Sequence, residues 1–399
     1  MKKVLAMLMV LALAFSFTAC SGGNDKDATK APETTSGTSD VDYSKVKVGV
    51  IHIGDPADGS GYSYQHDLGI QAMQKNLNLK DDQIVRKLNV ADDDKAKTKE
   101  AMEDCIAKGC TIIFATSYGY MDTTEELAAE YPDVIFSHGT GYKSNDTNFN
   151  NYFGRIYQAR YLAGIAAGMK TASGKIGYVA AFGTDLAETC SGINAFALGV
   201  QSVNPDAQVY VKTLNSWYDP SNETAFAKAL IEMGCDVIAQ HCDTANPQKA
   251  AEEAGVFGCG YNSDMTAEAP KAHLTAPVWN WGVYYTAAVE AAASGQWKSF
   301  GNYYAGIKEG FVDISPLSEN CVEGTDKRIE AVKALFMDGS WDVFSGVKLS
   351  FDDAGAVVKT DAALVDNAGN EIVAAGGPSV EDSVIQGTMN YFVAGVELK

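Results

Sequence analysis

From Val46 onward the chain alternates short runs of aliphatic and β-branched residues with longer segments whose apolar positions recur every three or four residues. The short runs predict strands at Val46–Ile53, Gln83–Leu88, Thr111–Ala115, Val134–Ser137, Lys175–Ala180, Gln208–Leu214, Val237–Gln240 and Val256–Tyr261. The longer segments predict helices at Tyr64–Asn76, Asp94–Lys108, Met121–Tyr131, Tyr157–Ala172, Thr189–Val203, Pro220–Met233, Asn246–Ala254 and Trp281–Ser294. Such alternation builds an α/β fold with parallel strands, and right-handed crossovers make the layout doubly wound. The order repeats four times up to about Ser137, breaks over residues 138–151, and repeats four more times, which predicts two similar lobes in series. Residues 319–399 read only coarsely, as a helix near Asp326–Met337 and a hairpin about the turn Asp366–Asn370.

In open parallel sheets ligands bind beyond the carboxyl ends of the strands, so a cleft between two such lobes would be lined by the segments that follow each strand. Those segments are rich in flat rings and short polar side chains. Tyr62 and Tyr64 follow the first strand, Tyr118 and Tyr120 the third, and Trp217 the sixth. His241, Asp243, Asn262, Asp264 and Trp279 follow later ones. Planar heterocycles stack on aromatic faces and are read at their edges by hydrogen bonds; sugars also stack on Trp. Trp281, Tyr284 and Tyr285 begin a helix and are read as core.

The N-terminus sets the compartment. Lys2 and Lys3, the apolar run Val4–Phe17 and the small residues Thr18-Ala19 before Cys20 form a secretory signal, too short to span a bilayer. A cysteine at the cleavage point resembles the bacterial lipobox, which predicts diacylation of Cys20 and a lipid-anchored chain on the extracytoplasmic face. Residues 21–40 contain no aromatic or large aliphatic residue and read as a flexible tether. With 31 Lys and Arg against 51 Asp and Glu, and only four Arg, a phosphate-tracking nucleic-acid binder is excluded. Seven cysteines follow Cys20 with no C-x-x-C, mostly in apolar context, and read as small buried hydrophobes.

Catalytic and cofactor signatures are missing. Gly54 and Gly59 have the spacing of a phosphate loop, but Ser60 and Gly61 stand where its Lys and hydroxyl belong. There is no G-x-G-x-x-G, no H-E-x-x-H and no G-x-S-x-G. His241 and Asp243, two apart on a strand end, share a face; two ligands do not close a zinc site, so the pair reads as hydrogen-bonding to a bound molecule. His138 reads as structural. No catalytic residue, metal or cofactor is predicted.

Several segments resemble the basic membrane protein family. They are Val46-Lys-Val-Gly-Val-Ile, Tyr131-Pro-Asp-Val-Ile-Phe, Arg160-Tyr-Leu-Ala-Gly-Ile-Ala-Ala-Gly-Met, Gly174-Lys-Ile-Gly-Tyr-Val, Val203-Asn-Pro-Asp and Asn390-Tyr-Phe-Val-Ala-Gly-Val. The resemblance implies a type I periplasmic-binding fold, two lobes joined by a hinge with the ligand cleft between them, and the role of a substrate-binding lipoprotein of an ABC importer with purine ligands. It divides the chain into a signal at 1–19, a tether at 20–45, a first lobe at 46–155 completed by about 282–310, and a second at 156–281 completed by about 311–399.

By the same resemblance Tyr62 and Trp217 stack on the two faces of a purine, and Asp264 helps to hold a ribose, with Asn262 where the family has an acid. Two departures point to a base rather than a nucleoside. The family's early Asp falls near Gly54, and its late ribose-contacting Lys falls at Trp279. The reading is an adenine-like purine receptor, not an enzyme, monomeric, with permease and ATPase subunits as partners. A sugar receptor and, below it, a nucleoside hydrolase are the alternatives.

Overall fold

The computed structural model describes residues 41–399; the signal segment, Cys20 and the tether up to residue 40 lie outside the described residues. The first sheet is built from β1 (Val48–Ile51), β2 (Ile84–Lys87), β3 (Ile112–Ala115), β4 (Ile135–Gly139) and β5 (Phe149–Gly154), with α1 (Gly61–Asn76), α2 (Lys95–Ala107) and α3 (Met121–Glu130). The second is built from β6 (Lys175–Ala180), β7 (Gln208–Thr213), β8 (Val237–His241), β9 (Phe257–Cys259) and β10 (His273–Thr275). Its helices are α4 (Ile156–Lys170), α5 (Ala187–Val203), α6 (Pro220–Glu232) and α7 (Asn246–Glu253). The spatial orders are 2-1-3-4-5 and 7-6-8-9-10, the same doubly wound plan used twice. Every pairing in both sheets is parallel.

The continuous apolar strands follow from burial on both faces. Val48 and Val50 of β1 lie with Ile112 and Phe114 of β3 in one core cluster, whereas Ile51, Ile113 and Ala115 lie in another on the opposite face. β5 was not predicted, because Asn150 and Asn151 interrupt its apolar pattern. The buried Asn150 is satisfied in place: its Nδ2 donates to the Gly301 carbonyl at 2.7 Å and to the Tyr284 hydroxyl at 3.0 Å.

Three passages join the sheets. Gly154 and Ile156 are separated by Arg155 alone. The chain then returns through β11 (Pro277–Trp279) to α8 (Trp281–Ala293), α9 (Trp297–Phe300) and β12 (Tyr303–Ala305), which pairs with β5 as the sixth strand of the first sheet. It leaves again through β13 (Val312–Ile314), which pairs antiparallel with β11, so the second and third passages form one ribbon. Beyond it come α10 (Thr325–Asp338), the hairpins β14 (Val347–Phe351) with β15 (Val357–Asp361) and β16 (Leu364–Val365) with β17 (Glu371–Val373), and α11 (Asp382–Gly387). The turn between β16 and β17 is the predicted one at Asp366–Asn370. Finally β18 (Val396–Leu398) pairs with β7 at the edge of the second sheet.

Helices α4 and α5 touch backbone to backbone, because glycine stands at both contacts. A Cβ on Gly164 would overlap the Phe196 carbonyl, and one on Gly199 the Tyr161 carbonyl. Six of the seven described cysteines are buried thiols and Cys321 is half-buried. In an exposed helix Gly→Ala stabilises, whereas at this contact it forces the helices apart. Gly199→Ala is expected to lower unfolding stability by about 1 to 3 kcal/mol. Urea unfolding checks this, and an unchanged midpoint would refute the close-packing account.

Candidate functional site

The segments after β1 and β9 meet where the two lobes touch. The Gly61 N–H donates to the buried Ser263 hydroxyl at 3.0 Å, and Gln65 Nε2 donates to the Trp279 carbonyl at 2.6 Å. Gly61 has a φ of +84°, and a Cβ there would strike the Asp243 carbonyl, so both conformation and space require glycine.

Asp243 is the centre of this junction. Its main chain abuts Gly61 on one side, and its N–H donates to the Trp217 carbonyl at 2.9 Å on the other. Tyr62, at the start of α1, is steered by its hydroxyl, which donates to the Thr116 carbonyl beyond β3. Its ring meets His66 edge-on at 4.4 Å and Trp281 edge-on at 6.4 Å. Trp217 is held by the turn that starts α6, where Asp219 caps the Asn222 N–H at 3.0 Å and Pro220 opens the first turn. Its ring meets Phe182 edge-on at 5.5 Å and His241 at 5.8 Å with a 59° tilt. Among the described residues, neither Tyr62 nor Trp217 has a parallel ring stacked on its face.

Around Asp243 lie Asn262, His241, Glu188, Arg160 and Tyr261. Asn262 Nδ2 donates to Asp243 Oδ1 at 3.0 Å, while Asn262 Oδ1 is buried without a partner. His241 is fully buried, with Nδ1 3.5 Å from the Tyr178 hydroxyl and Nε2 unpartnered, 3.8 Å from Glu188 Oε1. Arg160 lies 3.8 Å above the Tyr261 ring. Burial pushes the Asp243 carboxyl up to about 7 despite the Asn262 hydrogen bond. Burial pushes Glu188 up to about 8, aided by the Asp243 charge and opposed by Arg160. Burial, then Arg160, drives the His241 imidazole well below its usual value, so it is neutral.

Tyr62, Trp217, His241, Asp243 and Asn262 are thus brought together, and four other candidates are not. Tyr120 is fully buried in the first lobe's core, its hydroxyl donating to the Val90 carbonyl at 2.5 Å. Tyr118, next to it in the same turn, is 49% exposed. Asp264, its side chain 48% exposed, turns back to accept from the Thr266 N–H and hydroxyl at 2.9 and 2.6 Å. Tyr64 is half-buried on α1 with no ring or hydrogen-bond partner among the described residues.

Trp279 borders the site but offers no free face. It stacks on Trp281 at 4.5 Å and 13°, Trp281 stacks on His66 at 4.1 Å and 17°, and Phe153 and Phe311 close the remaining sides. Its indole N–H is buried without a partner. His138 is structural, Nε2 bonding the Ser117 carbonyl at 2.7 Å. Glu188, Arg160, Phe182 and Tyr261 were not predicted as site residues.

Among the described residues no group of three or more His, Cys, Asp or Glu is arranged to hold a metal ion. No helix among them is long and apolar enough to cross a membrane. Two surface clefts lie away from the junction, one beside Tyr161 and Trp341, the other beside Arg155 and Asp342.

The sequence profile described as ABC transporter substrate-binding protein PnrA-like, of the Bmp family, matches residues 45–339. The chain belongs to the Bmp family. This Bmp protein is 38% identical over 357 residues to a purine-binding protein of Brucella abortus (strain 2308), covering 89% of this chain and 94% of that one. It is 33% identical over 329 residues, 82% of each chain, to a Haloferax volcanii protein whose name provisionally assigns it to glucose binding in an ABC transporter. Solute-binding proteins of ABC systems from Aeropyrum pernix and Conexibacter woesei superpose with TM-scores of 0.62 and 0.60 at 16% and 18% identity. They cover 77% and 74% of this chain and 94% and 98% of their own, and they establish the type I periplasmic-binding fold.

The two raised carboxyls give the Bmp site a pH signature. From about pH 4, where unfolded carboxyls titrate, up to about pH 8, the native state holds protons that the unfolded chain has lost, so these groups make stability fall as pH rises. Asp243→Asn is expected to gain stability relative to wild type at pH 8 and little at pH 4.5. Thermal melts across that range check it; a pH-independent difference would refute the assignment.

Proposed function

We propose that this Bmp protein captures an adenine-like purine base between its lobes and presents it to the permease of an ABC importer. The observation that carries the reading is the placement of Asp243 between Gly61-Tyr62 of one lobe and Trp217 of the other. A planar ring entering there has a tyrosine and an indole to flank its faces and a carboxyl, oriented by Asn262, at its edge. An exocyclic amine donates to that carboxyl. The purine-binding relative from Brucella abortus supports the ligand class, and the absence of catalytic signatures in the sequence leads us to propose a receptor rather than an enzyme. The glucose assignment of the Haloferax volcanii relative favours a second reading, a sugar stacked on Trp217.

Calorimetry with adenine, hypoxanthine, adenosine and glucose separates these readings. Adenine is expected to bind tightest, and hypoxanthine, which presents a carbonyl toward Asp243, to be rejected. Trp217→Ala should weaken adenine binding by about 1 to 3 kcal/mol with the fold intact. Glucose binding with no response to adenine would replace the purine reading by the sugar one.

We further propose that Cys20 is diacylated and tethers the folded body to the extracytoplasmic face of the membrane. Two acyl chains are needed for stable residence in a bilayer. Cys20→Ser should therefore move the protein out of the detergent-extracted membrane fraction; unchanged fractionation would reject the anchor.

A further inference from the structure

At the lobe junction the Glu188 carboxyl, like Asn262 Oδ1, has no donor among the described residues. It sits in the first turn of α5 with its side chain 17% exposed, and among the described residues no N–H or O–H lies within hydrogen-bonding distance of its oxygens. His241 Nε2, itself fully buried and unpartnered, lies 3.8 Å from Glu188 Oε1. Buried polar atoms are normally satisfied, and leaving one unpaired costs free energy. A partly exposed carboxyl without a donor and a buried imidazole nitrogen without a partner, too far apart to bond each other, are spaced to bond adjacent atoms of a third molecule.

Their chemistry defines what that molecule presents. Nδ1 of His241 faces the Tyr178 hydroxyl at 3.5 Å; in the tautomer in which that hydroxyl donates, the neutral imidazole carries its proton on Nε2 and is a donor toward Glu188 and the cleft. Glu188 supplies an acceptor oxygen. The matching ligand edge is a ring N–H beside an unprotonated ring nitrogen, the H–N–C=N arrangement. Both groups lie on the second lobe near the Tyr62 ring, whose phenol feels the charges of Glu188 and Asp243. With Asp243 taking the exocyclic amine, the opposite edge of a purine is left to this pair.

We propose that Glu188 and His241 read the N9–H and N3 edge of the bound purine, Glu188 accepting from N9–H and His241 donating to N3. This rests on the purine reading above and gives it a specificity that Trp279 does not supply. A nucleoside carries its sugar on N9, so it has no hydrogen to offer Glu188 and places a substituent where the carboxyl lies. Selection for the free base then resides in one side chain that contacts the ligand.

The test uses adenine and 9-methyladenine as probes, with calorimetry of the full folded chain. Wild type is expected to bind adenine at least about tenfold tighter than 9-methyladenine, the effect of one lost buried hydrogen bond. Glu188→Ala should reduce that ratio to about threefold or less, and Glu188→Gln, whose amide oxygen still accepts, should restore part of it. An unchanged ratio in Glu188→Ala overturns the inference alone. If the alanine variant does not fold, 3-deazaadenine on wild type decides instead: it keeps the shape and N9–H but lacks the N3 acceptor. A loss of about tenfold is expected there, and equal affinity overturns the inference. Wild type that binds no purine overturns the parent reading, and the inference with it.

Discussion

The junction is organised around one buried cation. Arg160 is 1% exposed, and a guanidinium in a protein stays charged. Removing it from water is costly unless something replaces the lost hydration. The replacement is partial: Nη1 donates to the Gln240 carbonyl at 2.5 Å and the guanidinium lies over the Tyr261 ring, but Nε and Nη2 have no partner among the described residues. Its field adds to burial in keeping His241 neutral, and pulls Glu188 back toward ionisation against the effect of burial. Gly192 on α5 makes the arrangement possible, since a Cβ there would stand 2.8 Å from the His241 ring. The acid, the imidazole and the Tyr261 ring at this junction all feel that charge.

The aromatic residues divide by what their faces do. His66, Trp281 and Trp279 form a continuous stack, and Tyr152 and Tyr284 form another at 4.2 Å and 20°. These rings are spent on each other and hold the ribbon of β11 and β13 against the start of α1 and α8. Tyr62 and Trp217 touch their neighbours only edge-on or at a tilt, which leaves area for a guest. Rigid stacked rings behind, unstacked rings in front, is a division of labour that depends on orientation rather than residue type.

That dependence explains what the sequence could and could not disclose. The two-sheet plan was legible because β1 and β3 are apolar on both faces, β6 and β8 are largely apolar, and their helices keep a regular period. Trp217 was legible because Asp219-Pro220 announces a helix start and so places the preceding ring at a strand end. Tyr120 and Trp279 were misplaced because a ring after a strand can turn inward as easily as outward, and only neighbours such as Val90 or Trp281 decide. Glu188 was missed because an acid in the first turn of a helix has an ordinary local explanation, favourable interaction with the helix dipole. Arg160 sat inside a segment quoted for its family resemblance, yet its burial depends on Gln240 and Tyr261, 80 and more residues away.

The edge strands have a consequence for how the chain matures. The first sheet recruits β12 from residues 303–305 to cover β5, and the second recruits β18 from residues 396–398 to cover β7. Until those residues are available, each sheet presents a bare edge, a template on which another chain can pair. A polypeptide emerging from its N-terminus therefore carries both edges unsealed until residues 303–305 are made, and the second stays open until residues 396–398 follow. Closing the two sheets thus depends on pairings between segments far apart in the sequence, and neither lobe is finished by its own contiguous stretch of chain.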